Sequence, residues 1–69
     1  MTNHYYKLFC AYFKLHAHDI RREKTIAFYL DEINNKTKDD LTELARLVII
    51  KEYPAFADTI IVIGVTMNK

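Results

Sequence analysis

The side chains with nucleophilic, metal-binding or acid–base character are few and scattered. Cys10 is the single cysteine, and His4, His16 and His18 are the histidines. A thiol attacks as its thiolate and needs a base or a cation beside it. Cys10 instead stands among Phe9, Ala11 and Tyr12, where a cysteine serves as a small hydrophobe. His16 and His18 lie two residues apart, with His4, Asp19 and Cys10 as further conceivable ligands. Zinc, however, draws three or four ligands from closely defined spacings, and the chain has no C-x-x-C or H-x3-H pair. Asp31, Glu32, Asp39, Asp40 and Glu43 fall where strand ends and helix starts are expected, and solvated or capping acids are routine there. The chain has no serine and only one glycine, which removes serine nucleophiles, phosphate-cradling loops and dinucleotide fingerprints. The expectation is a protein without catalytic residues, metal site or cofactor: not an enzyme.

Tyrosine carries the remaining signal. Tyr6, Tyr12 and Tyr29 can supply large contact areas at small entropic cost, as at protein interfaces, or stack unpaired bases, as on RNA-binding sheets. What decides whether they meet is the secondary structure.

Residues 5–17, YYKLFCAYFKLHA, have the composition of a β-strand. Successive side chains on a strand point to opposite sides. The odd positions Phe9, Ala11, Phe13 and Leu15 are all apolar and form the expected core face, whereas Tyr6, Leu8, Cys10, Tyr12, Lys14 and His16 form a mixed working face. Residues 16–24 are polar and read as a long, basic loop bearing Arg21, Arg22 and Lys24. Residues 25–33, TIAFYLDEI, alternate as a second strand, a helix being the competing reading.

Thr37 followed three residues later by Asp40 imitates a capping box, so a helix is predicted from Lys38 until Pro54 stops it near Glu52 or Tyr53. Leu41, Leu44, Ala45 and Val48, with Leu47 flanking, mark its sheet-facing side, and Ile50 falls near the opposite side, exposed or covered from outside. Residues 59–67, TIIVIGVTM, are β-branched and apolar and read as a third strand, with Phe56 folding back under the helix end.

The order ββαβ with a right-handed crossover predicts an α+β domain: a three-stranded antiparallel sheet, order 2-1-3, with one helix on one face. The other face is left open. It would present Tyr6, Leu8, Cys10, Tyr12, Ala27 and Tyr29. Ile60 and Val62 would join them if Ile61, Ile63 and Val65 point to the helix. Soluble monomers seldom leave so large an apolar patch without a use.

At 69 residues, the chain is one domain near the lower size limit for a self-sufficient core, which favours a homodimer or another partner. Net charge is +1, unevenly spread: residues 1–24 carry five cations against two anions, and residues 25–69 carry five against seven. A strong nucleic-acid footprint is absent. No apolar run is long enough to span a bilayer, and no secretory leader pattern is visible, so a cytosolic location is expected.

In its brevity, its single helix over residues 38–53 between strands, and its tyrosine-rich sheet face, the chain resembles the small inhibitors that phages and mobile elements direct against host defences, anti-CRISPR proteins among them. The resemblance implies a stoichiometric inhibitor that occupies a functional surface of a larger complex, such as a host nucleoprotein. Tyr6, Leu8, Tyr12, Tyr29, Arg21, Arg22, Lys24 and Ile50 are the candidate partner-binding residues. A single-stranded nucleic-acid binder and a structural homo-oligomer are the alternatives.

Overall fold

A computed structural model describes residues 6–67. Tyr5, the expected start of the first strand, and His4, a conceivable ligand, lie outside them. The elements are β1 (Tyr6–Lys14), β2 (Arg22–Tyr29), a single helical turn α1 (Leu30–Ile33), α2 (Lys38–Glu52), a 3-10 turn (Pro54–Phe56) and β3 (Ile61–Met67). The three strands form an antiparallel sheet in the order β2-β1-β3, with α2 on one face. This is the α+β architecture that the ββαβ order with a right-handed crossover predicts.

The helix begins where its cap requires. Thr37 Oγ1 accepts from the Asp40 backbone N–H at 3.2 Å, and Asp40 Oδ2 accepts from the Thr37 N–H at 3.1 Å. Two otherwise unpartnered donors at the helix start are thereby satisfied. These hydrogen bonds, together with the Lys36 ammonium, hold the Asp40 carboxyl below its ordinary pKa. Tyr53 closes the other end by donating its N–H to Ile49 O, and Pro54 follows as the first residue of the 3-10 turn.

Phe9, Ala11, Phe13 and Leu15 of β1 are all buried, and with Ile26, Phe28, Ala45, Ile49, Ile60 and Val65 they form the core. Phe13 and Ile49 are its largest fully enclosed side chains. The helix is rolled relative to expectation. Ala45 and Ile49 point most directly at the sheet, while Leu41, Leu44 and Val48 are half-buried beside them. Ala11 and Ala45, both fully buried, are the small residues of this layer, and small residues let a helix backbone approach a sheet.

Three local expectations are corrected. β2 starts at Arg22 and ends at Tyr29, so residues 30–33 belong to a helical turn and not to the strand. Glu32 there supplies a cap, its Oε1 accepting from the Tyr29 N–H at 3.3 Å. The chain reversal is correspondingly shorter. The loop it leaves is pinned at several points: Leu15 N–H donates to Asp19 Oδ2 at 2.8 Å, Lys14 Nζ to Ala17 O at 2.9 Å, and Thr59 Oγ1 to Leu15 O at 2.8 Å.

The third correction concerns β3. Tyr12 lies opposite Gly64 but Phe13 lies opposite Val62, so Ile63 is an extra residue, a β-bulge. A bulge shifts the alternation by one position. Val65 faces the helix as expected, but beyond the bulge Ile60 is buried and Val62 is half-buried with it, while Ile61 shares the other face with Lys14. Among the described residues, no helix is long and apolar enough to cross a membrane.

Candidate functional site: the open sheet face

The strand registers assemble the open face row by row. Tyr6 of β1 lies opposite Tyr29 of β2, Leu8 opposite Ala27, Cys10 between Thr25 and Thr66, and Tyr12 between Glu23 and Gly64. Lys14 and Ile61 close the far end. The Tyr6 and Tyr29 rings meet edge to face, their centroids 6.2 Å apart at 86°, a favoured aromatic geometry. Tyr29 is 59% exposed, yet this pairing fixes its direction.

At the other end, Arg21 lies over the Tyr12 ring, its guanidinium carbon 5.0 Å from the centroid, and its Nη2 is 3.9 Å from Glu23. The ring attracts the cation through its electron-rich face. The Tyr12 phenol is raised above its ordinary pKa, first by the Cys10 thiol beside it, then by desolvation and the Glu23 carboxylate, while the Thr66 hydroxyl opposes the shift. Tyr12 is therefore a neutral hydroxyl under ordinary conditions, able to donate to a partner's carbonyl or carboxylate. Gly64, opposite it, has no atom beyond its chain neighbours within 4 Å of where a Cβ would stand, so the space beside the tyrosine at mid-sheet is open.

The face thus has an aromatic end at Tyr6, Leu8 and Tyr29, a floor of small side chains at Cys10, Thr25 and Thr66, and a charged end at Tyr12, Arg21, Glu23 and Lys14. Of the residues singled out from sequence, the structure brings Tyr6, Leu8, Tyr12, Tyr29 and Arg21 together here.

Arg22, Lys24 and Ile50 are elsewhere. Arg22 lies opposite Phe13 and Lys24 opposite Ala11, which puts both on the helix side of the sheet. Each has a local anion: Arg22 binds Asp19 at 2.8 Å, and Lys24 binds Glu52 at the end of α2. They are cations of the scaffold, not of a mobile loop. Ile50 is half-buried on α2, packed against the core and bordering a cleft at the β2 edge whose rim Ala27 and Tyr29 of the open face also line.

Two exposed residues were missed, Ile61 and the bulge residue Ile63, the latter 53% exposed. The lone glycine in a strand-like run was the available signal, because such a glycine marks a bulge or a close approach. Among the described residues, no three side chains of histidine, cysteine, aspartate or glutamate are grouped to hold a metal ion. No protein-family model, curated protein or solved structure matches the chain.

Proposed function

We propose that the chain is a small non-catalytic protein-binding module that acts as a stoichiometric inhibitor or regulator of a larger complex, with the open sheet face as its contact surface. One observation carries this reading. Tyr6, Leu8, Tyr29, Ile61 and Ile63 are exposed together with the ordered Tyr12–Arg21 pair, and among the described residues no element covers that side of the sheet. Exposed, pre-positioned aromatics with an arginine at hand are the residue types that dominate binding energy at protein interfaces. A host nucleoprotein complex in the cytosol is the class of target that the anti-defence resemblance implies.

The placement of the cations weighs against nucleic acid as the direct ligand. Binding to phosphates scales with the number of lysines and arginines brought to them. Arg22 and Lys24 are committed to Asp19 and Glu52 on the far side of the sheet, leaving Arg21 and Lys14 at one end of the face.

The test is affinity enrichment from the source cell with the wild-type chain beside Leu8→Asp and Tyr12→Ala variants, each checked for folding by circular dichroism. One complex enriched by the wild type and lost with both variants supports the proposal. Enrichment of salt-sensitive nucleic acid, or of a complex retained by both variants, overturns it.

A further inference from the structure

At the β2 edge of the sheet, α2 and β2 border an apolar cleft of ≈ 490 Å³, lined by Phe28, Leu44, Leu47, Val48 and Lys51 and, at its rim, by Ala27 and Tyr29 of the open face. Among the described residues β2 has a strand neighbour only in β1, and its outer edge lies on this cleft's side. Leu47 of α2 is 50% exposed beside the half-buried Leu44 and Val48, and the three line the cleft together.

The outer side of α2 carries Asp40, Leu44, Leu47 and Lys51, spaced four, three and four residues apart. That is the spacing of a helix–helix seam, in which alternating gaps of three and four keep one stripe facing a partner helix. Asp40, Leu47 and Lys51 are exposed and Leu44 is half-buried. Lys51 takes part in no ion pair among the described residues.

The stripe is self-complementary in one direction only. Laid antiparallel on a copy of itself, Asp40 meets Lys51 of the copy, Leu44 meets Leu47, and both relations repeat through the twofold axis. Laid parallel, it sets aspartate beside aspartate and lysine beside lysine.

We propose that the α2 side of the cleft is a self-association surface whose occupant is a second copy of this chain. The two α2 helices pack antiparallel, Leu47 of each enters the cleft of the other, and Asp40–Lys51 ion pairs close both ends. An isologous contact of this kind is the commonest way for a small chain to enlarge its core. The α2 stripe lies on the helix side of the sheet, and the cleft meets the open face only at Ala27 and Tyr29, so the dimer leaves most of that face outward on each copy and binds bivalently wherever two targets are within reach. The α2 stripe of this inference, Asp40, Leu44, Leu47 and Lys51, is distinct from the residues of the functional proposal, Tyr29 alone being shared through the cleft rim, and the inference does not depend on that proposal.

The experiment is sedimentation equilibrium of the wild type, Leu47→Glu, Lys51→Glu and Asp40→Lys, each alone, and of the last two mixed. Leu47→Glu keeps a strong helix former and sets it four residues before Lys51, so the fold is retained. The wild type is expected to reach dimer at micromolar concentration, with Leu47→Glu monomeric. Lys51→Glu and Asp40→Lys alone each associate about tenfold or more weakly, because each places like charges together at both ends. Mixed, they restore the dimer as a heterodimer, since glutamate then meets lysine at one end and the native pair remains at the other. A wild type that stays monomeric up to millimolar concentration overturns the proposal. So does a dimer that Leu47→Glu leaves intact, the open sheet face then being the surface that holds the copies. A mixture no more associated than its separate components also overturns it. Should Asp40→Lys fail to fold through loss of its cap, Leu47→Glu and Lys51→Glu decide.

Discussion

Asp19 holds Arg22 by two hydrogen bonds, Nε to Oδ2 at 2.8 Å and Nη2 to Oδ1 at 3.3 Å. The same Oδ2 receives the Leu15 N–H at 2.8 Å, so one carboxylate ties the end of β1 to the start of β2. This is why the polar stretch after β1 is a fastened turn and not a flexible basic loop. It also explains how Arg21 and Arg22, adjacent in sequence, end on opposite sides of the sheet, one over Tyr12 and the other beside Asp19.

The Asp19 carboxyl is held well below its ordinary pKa, chiefly by the Arg22 hydrogen bond and next by the Leu15 N–H. A carboxyl whose folded pKa is depressed contributes stability that is fully present above its unfolded pKa, near 4. That contribution disappears as pH falls through about 4 toward the folded value. Wild type should therefore lose more urea resistance than Asp19→Asn between pH 7 and about pH 2.5, the difference between them narrowing toward the acid end. Parallel loss in both proteins would show that Asp19 is not the acid-sensitive group. Asp40, shifted in the same direction by its cap, is common to both and cancels in the comparison.

The two neighbouring arginines should separate by role. Arg21→Ala is expected to slow association with the partner and reduce its salt dependence while leaving stability unchanged, because an exposed cation steers encounter more than it holds the complex. Arg22→Ala should lower the urea midpoint and leave association untouched, since it strands the nearly buried Asp19 carboxylate. Stopped-flow association and denaturant titration of both variants check this. A slower association for Arg22→Ala would return that residue to the contact surface.

The parts legible in the sequence are those governed by neighbours along the chain. Apolar odd positions in β1, the Thr37–Asp40 cap and Pro54 are local signals, and the strand order and helix limits follow from them. Arg22 and Lys24 were misplaced because their side of the sheet depends on where β2 begins, which Asp19 sets by reaching back to Leu15 N–H. The faces of Ile60 to Ile63 depend on a bulge that exists only in the pairing of β3 with β1. Leu47 and Ile50 required the roll of α2, a property of packing between layers.

Gly64 offers a test in which stability and binding move in opposite directions. Its φ is not positive, and a Cβ there meets nothing within 4 Å, so a side chain is accommodated without strain. Glycine within a strand is destabilising by about 0.5–1 kcal/mol relative to alanine, so Gly64→Ala should gain about that much. Gly64→Thr adds a β-branched residue and should be at least as stable. Both add a side chain to the open face opposite Tyr12, and the larger threonine should weaken partner binding more. Denaturant midpoints and partner titrations read the two effects, and threonine binding as tightly as glycine would take Gly64 out of the contact surface.

Tyr12 and Phe13 are adjacent in the central strand and face opposite ways, Tyr12 with Arg21 over its ring and Phe13 2% exposed with the Tyr53 ring 6.1 Å away. Phe13→Ala removes most of a fully enclosed ring from the centre of the core. The lost burial and the cavity left behind should cost about 3–5 kcal/mol, a large fraction of what a domain of this size possesses. Tyr12→Ala removes a half-buried ring from the open face and should change stability far less, while weakening partner binding by about 2 kcal/mol or more, as central aromatic anchors do. Tyr12→Phe isolates the hydroxyl. It keeps the ring under Arg21 but removes the donor, so a loss of about 0.5–1.5 kcal/mol in binding with unchanged stability would assign the phenol a hydrogen bond to the partner. Thermal unfolding alongside partner titration separates these outcomes, and a Tyr12→Ala protein that unfolds while binding survives in Phe13→Ala would place the contact surface on the other side of the sheet.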